Sequence, residues 1–172
     1  MWSIANKGFP PDVLLVARLV RLFGRSRHFS LMVAFGEIDV RVHLAGTQTR
    51  SHHGMKFVSE YVKQCQLLGQ KLRATRVVVT VPFPPGDSFD DALGLPRAGT
   101  LAERIDAFRM LRQALAAAVD TTEAGPTTVL LDCTEKLADS VGSLRADLTD
   151  DGCHVNGGGA RAVRESMQSL PL

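Results

Sequence analysis

Near its C-terminus the chain reads LTDDGCHVNGGGARAV, from Leu148 to Val163. Two residues of this run have types and spacing suited to chemistry. An Asp three positions before a His can hold one ring nitrogen and leave the other to act as a general base. Asp151 and His154 have that spacing, provided that the chain turns at Gly152. Asp150 is a second candidate for the orienting carboxylate. The same residues also fit a plain helix-initiating turn: acidic residues and Gly bend the chain, Asn156 caps a helix, and the His is simply exposed.

A second polar block, FGEIDVRVH, closes an apolar run. In an extended chain, Glu37, Asp39, Arg41 and His43 alternate onto one side. Arg41 could clamp an anionic or polar group, with Asp39 holding Arg41 in place. A surface ion-pair network explains the same pattern. Ser88, in GDSFDD, is the remaining nucleophile candidate. It sits in a Pro-rich loop with no helix starting directly after it, and Asp90 and Asp91 would oppose a developing oxyanion.

Other sites carry less. His43, His52 and His53 lack a ligand pattern, so no metal is expected. NGGGAR does not directly follow a strand and lacks the Gly-Lys-Ser/Thr ending of a phosphate loop. Cys153 adjoins His154, and adjacent side chains seldom face each other, so it reads as an idle or buried thiol. No cofactor is expected.

The elements that must position these residues alternate. A helix starts at Pro10-Pro11-Asp12 and runs to about Phe23, with Gly24 as its stop. HFSLMVAFG and RVVVTVPFPP read as buried strands and TTVLLD as a third strand. Val58, Tyr61, Val62, Cys65, Leu68 and Leu72 recur at helical spacing within a helix from about Met55 to Arg73. Leu101, Ile105, Phe108, Leu111 and Leu115 mark another helix, with Thr100 as N-cap and Glu103 three residues on. A last helix follows Asn156, with Ala160, Val163 and Met167 on one side. Strands separated by helices imply a parallel sheet covered on both faces, with polar loops gathered at the strands' carboxyl ends.

Taken together, these blocks resemble the SGNH/GDSL hydrolase family, over nearly the whole chain. That family has a flavodoxin-like sheet, an N-terminal GDS block bearing a Ser nucleophile, a Gly-x-Asn-Asp block after a middle strand, and an Asp-x-x-His block near the C-terminus. Asp151 to His154 matches the last block, and HVNGGGARAV looks like the helix after it. FGEIDVR-H is similar to a variant of the middle block found in a bacterial subgroup, VVVTVPFPP to the strand that follows, and MWSIANKGF to the segment leading out of the first βα region.

The resemblance implies a three-layer α/β/α domain spanning residues 1–172 that hydrolyses or transfers an acyl group, such as an O-acetyl group on a carbohydrate. His154 would be the base and Asp151 its orienting partner. Gly36 would shape the oxyanion region, and Glu37, Asp39, Arg41 and His43 would line the pocket. Two departures matter. Ile38 stands where the family has its oxyanion-hole Asn, and losing one such donor costs roughly 100- to 1,000-fold in rate. No GDS block precedes MWSIANKGF, so the N-terminal strand with its serine is expected to be missing, and the chain as written to be inactive. The alternative is a truncated or degenerate, non-catalytic binding or partner domain.

Bulk properties set outer limits. The chain has 172 residues, 45% hydrophobic and 22% charged, with a formal charge of +2. That length fits one domain with a real core. The charge is too small to argue for nucleic acid or a membrane surface. Arg18, Arg21, Arg25 and Arg27 read as a solvated helix face. Trp2 and Tyr61, the only residues of their types, offer no stacking platform for bases. VLLVARLVRLF is too short to span a bilayer. Cys65, Cys133 and Cys153 form no CxxC, and an odd count without a secretory signal suggests a reducing, cytoplasmic setting. The expected partner is a small-molecule or carbohydrate ester. A sheet lacking its central strand would also leave an unpaired edge, through which two copies could dimerise.

Overall fold

The computed structural model describes residues 1–13, 15, 29–36, 40, 44, 56–87, 98–120 and 125–170. The helix expected up to Phe23 is helical at residues 11–13 and 15; its remainder, including the four arginines, lies outside the described residues. The elements in chain order are α1 (Trp2–Lys7), β1 (Ser30–Val33), α2 (Lys56–Leu72), β2 (Arg76–Thr80), α3 (Leu101–Asp120), β3 (Thr127–Leu131), α4 (Thr134–Leu137), a 3-10 turn (Ala146–Leu148) and α5 (Gly157–Gln168).

The three strands form one parallel sheet in the order β1-β2-β3. Ser30 pairs with Arg76 and Val33 with Val79 on one side of β2; Arg76 pairs with Thr127 and Thr80 with Leu131 on the other. Successive side chains of a strand point to opposite faces. Val77, Val79 and Val81 therefore enter one core, with Tyr61 and Val62 of α2 and Phe108, Leu111 and Leu115 of α3. Val78 enters the other, with Leu131, Leu137, Leu144 and Leu148, against which Ala162 and Val163 of α5 pack. The result is the three-layer α/β/α arrangement expected of strands separated by helices.

Each helix has a local cause. In α2 the residues at helical spacing, Val58, Tyr61, Val62, Cys65, Leu68 and Leu72, are all buried. Gly69 lets this helix lie close on the sheet: a methyl group there would collide with the Val77 side chain and come within 3.2 Å of Pro126. The helix ends with Arg73 in the left-handed region, φ 55°, and the Ala74 amide returning to the Gly69 carbonyl at 2.9 Å. At the start of α3 the capping box is complete. The Thr100 amide donates to Glu103 Oε2 at 2.7 Å, and the Glu103 amide donates to Thr100 Oγ1 at 3.3 Å.

Three features differ from the sequence reading. Trp2–Lys7 is a helix, and its Met1, Ile4 and Ala5 side are buried in the core shared with α2. It is too short to show a recognisable period. Thr134–Leu137 forms one more helical turn, begun by the Asp132 carboxylate, which accepts from the Thr134 amide at 2.9 Å and its hydroxyl at 2.6 Å. In α5 the residues turned inward are Gly159, Ala162, Val163 and Ser166, whereas Ala160 and Met167 are exposed. Val163 faces inward as expected, but its companions on that side are the small residues Gly159, Ala162 and Ser166. Among the described residues, no helix is long and apolar enough to cross a membrane.

Candidate active site

All three strands run the same way, so the segments after them share one edge of the sheet. Gly36 lies just beyond β1, Pro82–Gly86 beyond β2, and Asp132 beyond β3. Loops at this edge are where open α/β sheets place ligands.

The Asp-His turn is built from its own backbone. Thr149 and Val155 face each other in an antiparallel bridge, which closes the loop between them. The Thr149 hydroxyl accepts the Gly152 amide at 2.9 Å and donates to the His154 carbonyl at 2.7 Å. Gly152 supplies the turn that the Asp-His spacing requires, with φ 74° in the left-handed region.

Asp151 uses both oxygens. Oδ1 accepts the amides of Cys153, at 2.8 Å, and His154, at 2.7 Å. Oδ2 lies 2.6 Å from Nδ1 of the His154 ring. A carboxylate only accepts, so Nδ1 carries the proton, and in the neutral ring the lone pair is on Nε2. The His154 side chain is 71% exposed and that of Asp151 24%. The ring bond to His154, then the His154 and Cys153 amides, hold the Asp151 carboxyl far below the usual carboxylate range; the little burial it has opposes them. Asp151 is thus an ionised anchor. Such an arrangement can accept a proton at Nε2 and stabilise the imidazolium that forms.

Asp150 is engaged elsewhere: Asn156 Nδ2 donates to it at 3.3 Å and to the Asp147 carbonyl at 3.1 Å. The other end of the Asn156 side chain accepts the amides of Gly158 at 2.9 Å and Gly159 at 3.2 Å, which caps α5. The helix-starting cap is made by Asn156, and the hydrogen bond to the His154 ring by Asp151. Thr149 is the member that the sequence reading missed. Its signal was present: a hydroxyl residue three positions before a Gly can close a turn by its side chain.

Gly36 stands beyond β1 with φ 113°, a backbone conformation that favours glycine. A methyl group there would come within 2.9 Å of Pro82 Cγ and collide with the Met1 side chain. Pro82 begins the segment whose other end, Gly86, abuts the Asp-His turn: a methyl group on Gly86 would collide with the Gly152 carbonyl oxygen and come within 2.8 Å of its carbon. The structure thus strings Gly36, Pro82–Gly86 and Gly152 along one edge. Glu37, Asp39, Arg41 and His43, proposed from sequence to line the pocket, lie outside the described residues, as does Ser88. So do His52 and His53.

The thiols are buried. Burial pushes Cys65 up to about 12 against the hydrogen bond to Tyr61, and raises Cys133 as well. Low-pKa nucleophile character is absent at both. Asp132 is lowered instead. Burial works against it, but the Thr134 hydroxyl and amide and the Arg112 guanidinium outweigh that. It anchors Thr134 at the start of α4 and pairs with Arg112.

No protein-family model matches the chain. No curated protein matches it either. Among solved structures, the chain is similar to one from Streptococcus pneumonia described as "a putative platelet activating factor", with 13% identity and a TM-score of 0.58. The match covers 88% of this chain and 66% of that one, so the chain spans just under two thirds of that neighbour's length. At that identity the likeness shows the fold.

Proposed function

We propose that this domain carries the base half of an SGNH-type acyl-ester hydrolase, with His154 as general base and Asp151 as its orienting partner. The observation that supports it most is the double grip of Asp151 on His154, by ring nitrogen and by backbone amide. Oδ1 serves the turn through the two amides, whereas the bond from Oδ2 to the ring adds nothing to starting a helix and places an ionised carboxylate against an exposed imidazole. In the proposed reaction, Nε2 takes the proton of a seryl hydroxyl as that oxygen bonds to the ester carbon. The alcohol leaves with the proton returned by His154, and water then releases the acyl group by the same relay.

On the family's pattern the serine belongs to a GDS block preceding residues 1–9. Within this sequence Ser88 is the candidate. An O-acetyl ester of a carbohydrate is the substrate class proposed, and Gly36 the glycine that shapes the oxyanion region.

Two measurements test this together. The first is the intact mass of the protein from its native source. The second is turnover of 4-nitrophenyl acetate by that protein and its variants. A mass above 18.6 kDa, a GDS-bearing extension, and turnover lost in His154→Ala support the reading. Loss in Ser88→Ala would instead assign the nucleophile within this sequence. Turnover untouched by His154→Ala, or a mass of 18.6 kDa with no turnover, would leave the non-catalytic partner domain standing in its place.

A further inference from the structure

The Pro82–Gly86 segment is held from four directions. The Val81 amide donates to the Leu131 carbonyl at 2.9 Å. The Pro85 carbonyl accepts from the Leu144 amide and the Ser143 hydroxyl, both at 3.0 Å. The Gly86 carbonyl accepts from Nη2 of Arg104 at 3.4 Å. Beyond these, the backbone of Gly86 rests on that of Gly152 with no room for a side chain.

Arg104 is unusual here. It is 3% exposed, and its Nη1 also donates to the Gly99 carbonyl at 2.9 Å. A guanidinium taken out of water is costly unless it is well engaged. An apolar residue on this face of α3 would fill the same space without that cost. What a guanidinium adds is a rigid fork that grips two separate backbone segments at once. It fixes the carbonyl of Gly86, and Gly86 is the surface on which Gly152, the pivot of the Asp-His turn, sits.

We propose that Arg104 and Gly86 are positioning residues for the Asp151–His154 pair: the buried guanidinium sets the Gly86 backbone, which in turn sets the Gly152 turn. This rests on the reading of the pair as a functional unit. Its test does not need catalysis, so the two can fail separately.

The experiment follows the Asp151 carboxyl carbon by NMR against pH in the full chain, without substrate. The groups that face this carboxylate are the His154 ring, the Cys153 and His154 amides and, at 3.4 Å, the Thr149 hydroxyl; Asp150 is its charged chain neighbour. Gly86→Ala must push Gly152 away, and Arg104→Lys removes the fork while keeping the charge. In both, provided the amide spectrum stays dispersed, the Asp151 titration is expected to rise toward the ordinary carboxylate range, with weakening of the hydrogen-bonded Nδ1 proton signal of His154. Gly157→Ala is the control, because a methyl group there meets nothing within 4 Å. It should leave the titration where it is in the unmodified chain.

Either folded variant decides the matter. An Asp151 titration unchanged in Gly86→Ala or Arg104→Lys overturns the proposal, even if the variant is less stable. Turnover by the native-source protein that survives His154→Ala, alongside shifted titrations, would count against the function and leave the positioning intact.

Discussion

Asp151 binds His154, three residues further on, at two points: Oδ2 is 2.6 Å from the ring Nδ1 while Oδ1 accepts the His154 amide at 2.7 Å. The ring and its own backbone are thereby tied to one carboxylate, which fixes the imidazole's tautomer and narrows its swing. Asp151→Asn keeps the size but replaces one acceptor oxygen with a donor amide. On the proposed mechanism, turnover by the native-source protein should fall by at least about 100-fold, the lower end of what a positioned base supplies. Steady-state kinetics on an activated ester would check it; an Asp151→Asn protein as fast as the unmodified one would remove Asp151 from the mechanism.

The cap of α5 should be separable from the dyad. Asn156 accepts two amides of the first turn through one oxygen. Asn156→Ala is expected to cost about 1 kcal/mol of stability, as loss of an N-cap generally does. Denaturant unfolding would measure it. Because Asn156 also holds Asp150 and the Asp147 carbonyl, the cost should exceed that of Thr100→Ala at α3, whose hydroxyl adds one further bond, to Glu103 Oε2 at 3.2 Å.

How much of this was legible in the letters depends on the kind of signal. RVVVT is a continuous apolar run and the face of α2 a helical period, and both fold as read; TTVLL and SLMV form their strands, but only Leu131 and Val33 of them are buried. The Thr100–Glu103 box and the Asn156 cap are local chemistry with one geometric solution. Trp2–Lys7 was not legible because six residues are under two helical turns. The inward face of α5 was misread because Gly159 and Ser166 pack by being small, a property hydrophobicity does not register. At the site, the Asp-His spacing was readable. The Gly86–Gly152 contact was not, since it joins loops 66 residues apart in number and involves no side chain.

Core substitutions should stand apart from surface ones. Phe108 and Leu111 are 1% and 0% exposed. Phe108→Ala or Leu111→Ala is expected to lose about 2–5 kcal/mol. Met167, at 43% exposure, should change by less than about 0.5 kcal/mol when truncated to Ala. Thermal unfolding of the three variants would rank them.

Acid should weaken the fold through Asp132. Its carboxyl is lowered in the folded chain, net of burial, by Thr134 and Arg112. A group depressed on folding contributes stability above its unfolded value, about 3.9 for Asp, and that contribution fades as pH falls from there through the lower folded value. The melting temperature should therefore drop below about pH 4. Asp132→Asn should be less stable near neutral pH and flatter in acid. A variant whose acid dependence matched that of the unmodified chain would assign the effect to other carboxylates.

Strand β2 belongs to both cores, giving Val77 and Val79 to one and Val78 to the other. Neither layer of helices can be peeled away without uncovering the back of residues that the other layer needs. The two layers should melt as one cooperative unit, and the amides of Val77–Val79 should be among the slowest in the chain to exchange their protons with water.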